Sequence, residues 1–130
     1  MYRIIVDTSH AVVEVTLSGM MSVEETASYI ADLKRELVLN RLRHGYAMVI
    51  DVTECPIQAQ DMIEAMRAHM AAMPKARSLA VVTGSSLARM QVKRLFLQPY
   101  ARIAATVEEG RAWVIDGVEP TIDTRVTANG

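Results

Sequence analysis

The chain has very little cysteine, with a single such residue among 130. It cannot form an intrachain disulfide, so nothing in the composition requires an oxidising compartment. The N-terminus lacks the long apolar core of a signal peptide. No apolar run approaches the roughly 18 residues of a membrane-spanning helix. We therefore expect a cytoplasmic protein without a membrane span.

The sequence also lacks an excess of charge of either sign. Its 14 Lys and Arg residues against 15 Asp and Glu give a formal net charge of -1. This balance argues against a general electrostatic attraction to nucleic acid or to an anionic membrane. Hydrophobic residues make up 51% and charged residues 22%, which is typical of a soluble globular domain. A chain of this length can bury one hydrophobic core without needing disulfides or a metal site for stability.

Signatures of catalysis and of metal binding are missing as well. Gly84-Ser85-Ser86 has neither the glycine spacing nor the lysine of a Walker loop. His10, His44 and His69 lack the spacing of convergent metal ligands. Cys55 has no histidine close in sequence to activate it, so it is interpreted as a small buried hydrophobe. We predict no metal, no cofactor and no catalytic residue.

Short apolar segments supply the main positive signal. Residues 46–51, Tyr-Ala-Met-Val-Ile-Asp, are too short for a typical helix and predict a central strand buried on both faces. Residues 11–18 alternate apolar and polar side chains with period two, which indicates a half-buried strand. This strand is expected to pair with residues 3–7 as an antiparallel hairpin.

Helical patterns separate the later strands. Ser22 and Glu25 form a capping box that begins a helix over 23–38, and Thr106 and Glu109 form a second box before a helix ending near 115. Further elements are predicted as a helix over 58–73, a strand over 79–83, a helix over 87–97 and a strand over 102–105. The order ββαβαβαβα predicts an α/β fold with a mixed five-stranded sheet, mainly parallel and covered by helices. We expect one domain over residues 1–116 and a flexible tail over 117–130.

Three stretches of this pattern resemble the SpoIIAA-like family of bacterial proteins, which is related to STAS domains and has a CRAL-TRIO-like fold. They are Leu17-Ser18-Gly19 before an acidic capped helix, Val49-Ile50-Asp51-Val52-Thr53, and residues 80–89 followed by residues 102–114 with their capped, Trp-containing helix. The resemblance covers residues 2–115. It implies the fold, and STAS-type antagonists bind a partner kinase and are switched by phosphorylation of a serine after the central strand. Here that region, Glu54-Cys55-Pro56-Ile57, has neither the serine nor the glycine of the motif.

Polar residues after two predicted strands form the candidate ligand site. In open α/β sheets, ligands bind beyond the carboxyl ends of the strands. Asp51, Thr53, Ser85, Ser86 and Arg89 are the candidate residues for an anion or a small ligand, at a strand end and a helix start. The alternative is purely local, with Asp51 capping a turn and a serine capping a helix, and for the serines it is the favoured interpretation.

The helix predicted over 87–97 carries apolar residues on more than one side. Val92 and Phe96 lie on one side, Met90 on another, and Lys93 lies between them. One explanation is an interface for a homodimer or another protein through Val92, Lys93 and Phe96. The other is extra burial beneath the C-terminal segment, and the sequence favours neither.

These observations give two functional hypotheses. The first is a non-catalytic, cytoplasmic, SpoIIAA/STAS-like domain that acts through protein–protein contacts, in a regulatory role and as a homodimer. The alternative is a carrier of a small molecule or lipid, since SEC14-type relatives of the CRAL-TRIO-like folds hold lipids in a deep cavity. Its pocket would lie at the carboxyl ends of the central strands.

Overall fold

The computed structural model describes residues 1–42, 45–55, 75–84, 86–95 and 99–120, together with the single residues 64, 68 and 71. The elements are β1 (Tyr2–Asp7), β2 (Val12–Ser18), α1 (Val23–Leu39), β3 (Ala47–Glu54), β4 (Ser78–Val82), α2 (Ser86–Leu95), β5 (Ala101–Ala104) and α3 (Val107–Asp116). Apart from the three single residues, the helix predicted over 58–73 lies outside the described residues. Within the described ranges, no helix combines the length and the apolar character needed to cross a bilayer.

The five strands form one mixed sheet in the order β1-β2-β3-β4-β5. β1 is antiparallel to β2, and the remaining neighbours pair in parallel. The predicted mixed, mainly parallel sheet is therefore confirmed. β3 is its central strand, and residues 47–50 are buried. β3 also continues to Glu54, beyond the predicted end at Asp51, because Glu54 pairs with Ser18 past a register shift between the two strands.

The two faces of the sheet bury different side chains. One face packs branched and long side chains against α1 and α2, in a core that includes Val13, Val15, Ile30, Leu33, Leu37, Met48, Ile50, Val81, Val92 and Ile103. The other face carries only alanine and valine in its buried set beneath α3, namely Val12, Ala47, Val49, Ala80, Val82 and Ala104, and Val114 of α3 packs on them. Since these side chains are short, a helix can lie closer to the sheet there.

α3 approaches the sheet through a buried glycine. A Cβ atom added to Gly110 would lie 3.2 Å from Cγ1 of Val49 and 3.3 Å from Cβ of Ala80. α3 packs on β3, β4 and β5. At the far side of the same sheet face, Ile5 of β1 remains 47% exposed. α3 thus covers this face over β3, β4 and β5, while the outer strand β1 keeps the Ile5 side chain in contact with solvent.

Both helices with predicted capping boxes begin at the expected N-cap residues. The Ser22 hydroxyl accepts a bond of 3.0 Å from the amide of Glu25, and the Thr106 hydroxyl accepts one of 3.1 Å from the amide of Glu109. α3 ends at Gly117, whose φ of 73° lies in the left-handed region that glycine adopts without strain. Of the predicted flexible tail, residues 117–120 are described and Pro120 is buried. Residues 121–130 lie outside the described residues.

Candidate functional site

The candidate residues at the carboxyl ends of the strands are held in two local pairs. Oδ1 of Asp51 accepts a bond of 2.9 Å from the amide of Thr53 and a second bond from the Thr53 hydroxyl. Nη2 of Arg89 donates to Oγ of Ser86 at 3.1 Å. The Asp51 pair caps a turn, as the local interpretation predicts. The Arg89–Ser86 bond joins two side chains, so helix capping by a serine stays a prediction. Ser85 lies outside the described residues, so an anion site that includes it stays a prediction.

Cys55 follows β3 and is half-buried against the core beneath α1. Burial raises the pKa of its thiol, and the nearby carboxylates of Asp51 and Glu25 raise it further. Because the thiolate is the nucleophilic form, this environment makes Cys55 a poor nucleophile at neutral pH.

We expect Cys55 to be alkylated by iodoacetamide at neutral pH more slowly in the folded protein than in the same chain in urea. The raised pKa and the partial burial both lower the rate. Mass spectrometry of samples taken at timed intervals measures the alkylation rate, and the signal comes from Cys55 because the chain has one cysteine. An equal or faster reaction of the folded protein would show that the thiol is activated instead.

The candidate interface on α2 is described in part. Val92 is buried in the core shared with α1, whereas Lys93 is exposed. Met90 is 55% exposed, and Phe96 lies outside the described residues. A protein interface through Lys93 and Phe96 stays a prediction. Val92 instead packs α2 against the core of the domain.

An ionic cluster that the sequence analysis missed joins α3 to the first two strands. Arg111 donates through Nη2 to Oδ2 of Asp7 at 2.8 Å and through Nη1 to Oε1 of Glu14. Nδ1 of His10 lies 2.9 Å from the same Asp7 oxygen. The Arg111 guanidinium, followed by His10, holds the pKa of Asp7 well below its usual range. The cluster therefore ties α3, which packs on β3, β4 and β5, to the first two strands.

Replacing Arg111 with glutamine is expected to lower the free energy of unfolding at neutral pH, because two neighbouring carboxylates lose their shared cation. The pKa of Asp7 is depressed in the folded state, so its contribution is present above the unfolded value of about 3.9 and is lost as the pH falls towards the folded value. The difference between wild type and variant should thus shrink in acid. Urea titrations at neutral and acidic pH measure this difference.

Arg35→Gln is the matched control, since Arg35 pairs with Asp32 on the exposed surface of α1. It should cost less than Arg111→Gln, because exposed pairs within one helix contribute little. A difference between wild type and Arg111→Gln that stays constant with pH would show that Arg111 stabilises α3 without Asp7.

An open groove lies near the amino-terminal ends of β4 and β5, whereas the predicted site lies at the carboxyl ends of the strands. The groove has a volume of about 490 Å³ and is lined by Arg77, Ser78, Pro99, Tyr100, Trp113, Val114 and Gly117. These residues come from the starts of β4 and β5 and from the end of α3. No sequence motif marks this groove, which lies away from the carboxyl ends of the strands where a ligand site was predicted.

Trp113, the single tryptophan of the chain, is held in one orientation at this groove. Its Nε1 donates to the carbonyl of Tyr100 at 3.2 Å. The guanidinium of Arg102 lies 4.3 Å from the centre of the Trp113 ring, within the range of a cation–π contact. Arg102 is fixed in turn by two bonds to the Glu119 carboxylate, of 2.8 and 3.0 Å. With its N–H already bonded, Trp113 offers the groove an apolar ring.

Arg77 borders the groove but already serves as a structural donor. Its guanidinium donates to the carbonyls of Gly45 and His10, the latter at 3.2 Å. These bonds tie together the loops that precede β2, β3 and β4. The groove is consequently better suited to an apolar group than to an anion.

In the described ranges, no three His, Cys, Asp or Glu side chains are grouped so that they could hold a metal ion. Comparison with protein-family models gives no match to the chain, and a search of curated proteins gives none either.

Proposed function

We propose that this chain is a SpoIIAA-like, STAS-related domain of ββαβαβαβα order that acts without catalysis, through contact with another protein. Three features support the family assignment. The sheet is parallel except for its outer strand β1, β3 lies at its centre, and the last helix is capped and carries a tryptophan. The regulatory role follows from the same resemblance.

The observation that carries the proposed function is the groove beside Trp113. Tryptophan, tyrosine and arginine are the residues most enriched at the energetic centres of protein interfaces. Here the Trp113 ring is already fixed by Tyr100 and Arg102. A partner that binds it gains contact area at a low cost in side-chain entropy.

The chemistry of the groove indicates what the partner inserts. The Trp113 N–H and both terminal nitrogens of Arg77 donate within the domain, and Pro99 and Val114 add apolar surface. An apolar side chain, such as leucine or phenylalanine, therefore fits the groove better than a phosphate or a carboxylate. The partner is a protein that presents such a side chain on its surface.

Site-specific photo-crosslinking in the cells that make the protein tests this proposal. A benzophenone amino acid replaces Val118, which is exposed and follows the groove residue Gly117. The matched control replaces Met20, which is exposed to a similar degree and follows the carboxyl end of β2, away from the groove. We expect a discrete protein adduct at Val118 and none at Met20. No protein adduct at Val118, or the same adducts at both positions, would contradict the proposal.

Carriage of a small molecule is the second candidate function. The groove volume of about 490 Å³ lies within the range of small-ligand sites, about 300–1,000 Å³. Native mass spectrometry of freshly purified protein distinguishes the two candidates. A retained molecule that raises the mass above 14.4 kDa and is released on unfolding would favour carriage. A bare chain would leave carriage unsupported.

A further inference from the structure

Alternate residues of β1 direct their backbone N–H and C=O groups away from β2, towards the outer edge of the sheet. The pattern is fixed by Met1 and Ser18, which exchange backbone hydrogen bonds of 2.9 and 2.8 Å. Because such bonded pairs alternate along an antiparallel ladder, Arg3, Ile5 and Asp7 also direct their backbone groups towards β2. The backbone groups of the even-numbered residues of β1 then point outwards. In the described part of the chain, no strand lies beyond them.

This edge has few of the usual protections against strand pairing. Natural edge strands are protected by charged side chains, lysine above all, by proline, by bulges or by very short length. The charged residues of β1 are Arg3 and Asp7, which have opposite signs. β1 has six residues, Tyr-Arg-Ile-Ile-Val-Asp, with neither proline nor lysine and with no break in its register against β2. Ile5 is 47% exposed on the sheet face that α3 leaves open. An edge of this composition is suited to receive another strand.

We propose that β1 pairs antiparallel with β1 of a second copy, about a two-fold axis that passes between the two Ile5 residues. The two five-stranded sheets then form one continuous ten-stranded sheet. The pairing uses a surface other than the Trp113 groove, so it is independent of the proposed function. It places homodimer contact at β1 and not at α2.

Charge complementarity fixes this register. With the axis at Ile5, Arg3 of each copy lies opposite Asp7 of the other, and Ile4 exchanges backbone bonds with Val6. Arg3 is exposed and has no ion pair within the described part of the chain. Asp7 can accept it, since Oδ2 receives Arg111 and the His10 ring, while Oδ1 receives only the His10 amide at 3.3 Å. Two ion pairs and one apolar contact therefore form per dimer.

A neighbouring register fits the backbone equally well but not the side chains. With the axis at Ile4, the outward backbone groups still pair, yet Arg3 would lie opposite Ile5. Asp7 would lie opposite Met1, whose ammonium already donates to the Ser18 carbonyl and pairs with Glu25. Opposite charges placed across a strand pair stabilise it. The register about Ile5 is therefore the one that the sequence of β1 selects.

Disulfide trapping tests both the pairing and its register. Ile5→Cys and Arg3→Cys are compared in a chain that also carries Cys55→Ser. In the proposed dimer, position 5 faces its own copy in a non-bonded pair with Cα atoms about 4.5 Å apart, within the reach of a disulfide. We expect a covalent dimer from Ile5→Cys on mild oxidation and little from Arg3→Cys. Equal trapping at both positions, or trapping only at position 3, would overturn the register.

Sedimentation velocity over a range of concentrations tests the dimer itself. The wild type should reach twice the chain mass of 14.4 kDa. Ile5→Lys, which brings two like charges together at the axis, should remain a monomer, and Met90→Lys on α2 should remain a dimer. If circular dichroism shows that Ile5→Lys is unfolded, Arg3→Glu replaces it and should also be a monomer. A monomeric wild type, a dimeric folded Ile5→Lys or Arg3→Glu, or a dissociated Met90→Lys would each overturn the proposal.

Discussion

Replacement of Leu37 by alanine is expected to lower the free energy of unfolding by about 2–5 kcal/mol. Leu37 is 1% exposed and lies in the core between α1 and the sheet. Truncation removes apolar burial and leaves a cavity that the neighbouring side chains fill only in part. Equilibrium urea denaturation, followed by circular dichroism, measures the loss.

Leu39, the last residue of α1, is the matched control because it is 68% exposed. Leu39→Ala makes the same chemical change in the same helix and should alter the free energy of unfolding by no more than about 0.5 kcal/mol. Equal losses in the two variants would contradict the orientation of α1 on the sheet.

Replacement of Gly110 by leucine is expected to have the next largest effect, a loss of about 1–3 kcal/mol from overpacking. Even a Cβ atom at this position would lie 3.2 Å from Val49 and 3.3 Å from Ala80. The Ala80 methyl group sits directly on the strand backbone and cannot rotate away. A leucine side chain must therefore push α3 off the sheet. Thermal and urea denaturation both measure the loss.

Glu108→Leu is the control for this variant, since Glu108 is exposed on the same helix. It should cost less than about 1 kcal/mol, from the loss of a favourable charge in the first turn. If Gly110→Leu were as stable as Glu108→Leu, α3 could not pack closely on β3 and β4.

The sequence predicts the sheet well because its strands carry strong local signals. The alternation of Val13 and Val15 with Glu14 fixes which face of β2 is buried, and that face packs against α1 in the structure. The serine and threonine caps likewise fix where α1 and α3 begin. The end of β3 was misplaced because its extension depends on pairing with Ser18 in β2. No local pattern around Asp51 shows this pairing.

The site is harder to predict because its residues are distant in the sequence. Trp113 meets Tyr100 and the start of β4 only after β4, β5 and α3 have packed together. Arg111 meets Asp7 and Glu14 across 104 and 97 residues, respectively. Periodicity and capping motifs carry no information on such contacts. The rule that ligands lie beyond the carboxyl ends of strands predicted a site at Asp51. The groove lies at the opposite, amino-terminal ends of the strands.

The single tryptophan allows the most direct measurement of the proposed contact. The protein, labelled with 5-fluorotryptophan, gives one fluorine signal from Trp113, which is recorded while the partner captured at Val118 is added unlabelled. If the partner inserts an apolar side chain into the groove, the signal should shift and saturate together with binding. A signal that stays unchanged while sedimentation shows the complex to be fully formed would contradict the groove as the contact site.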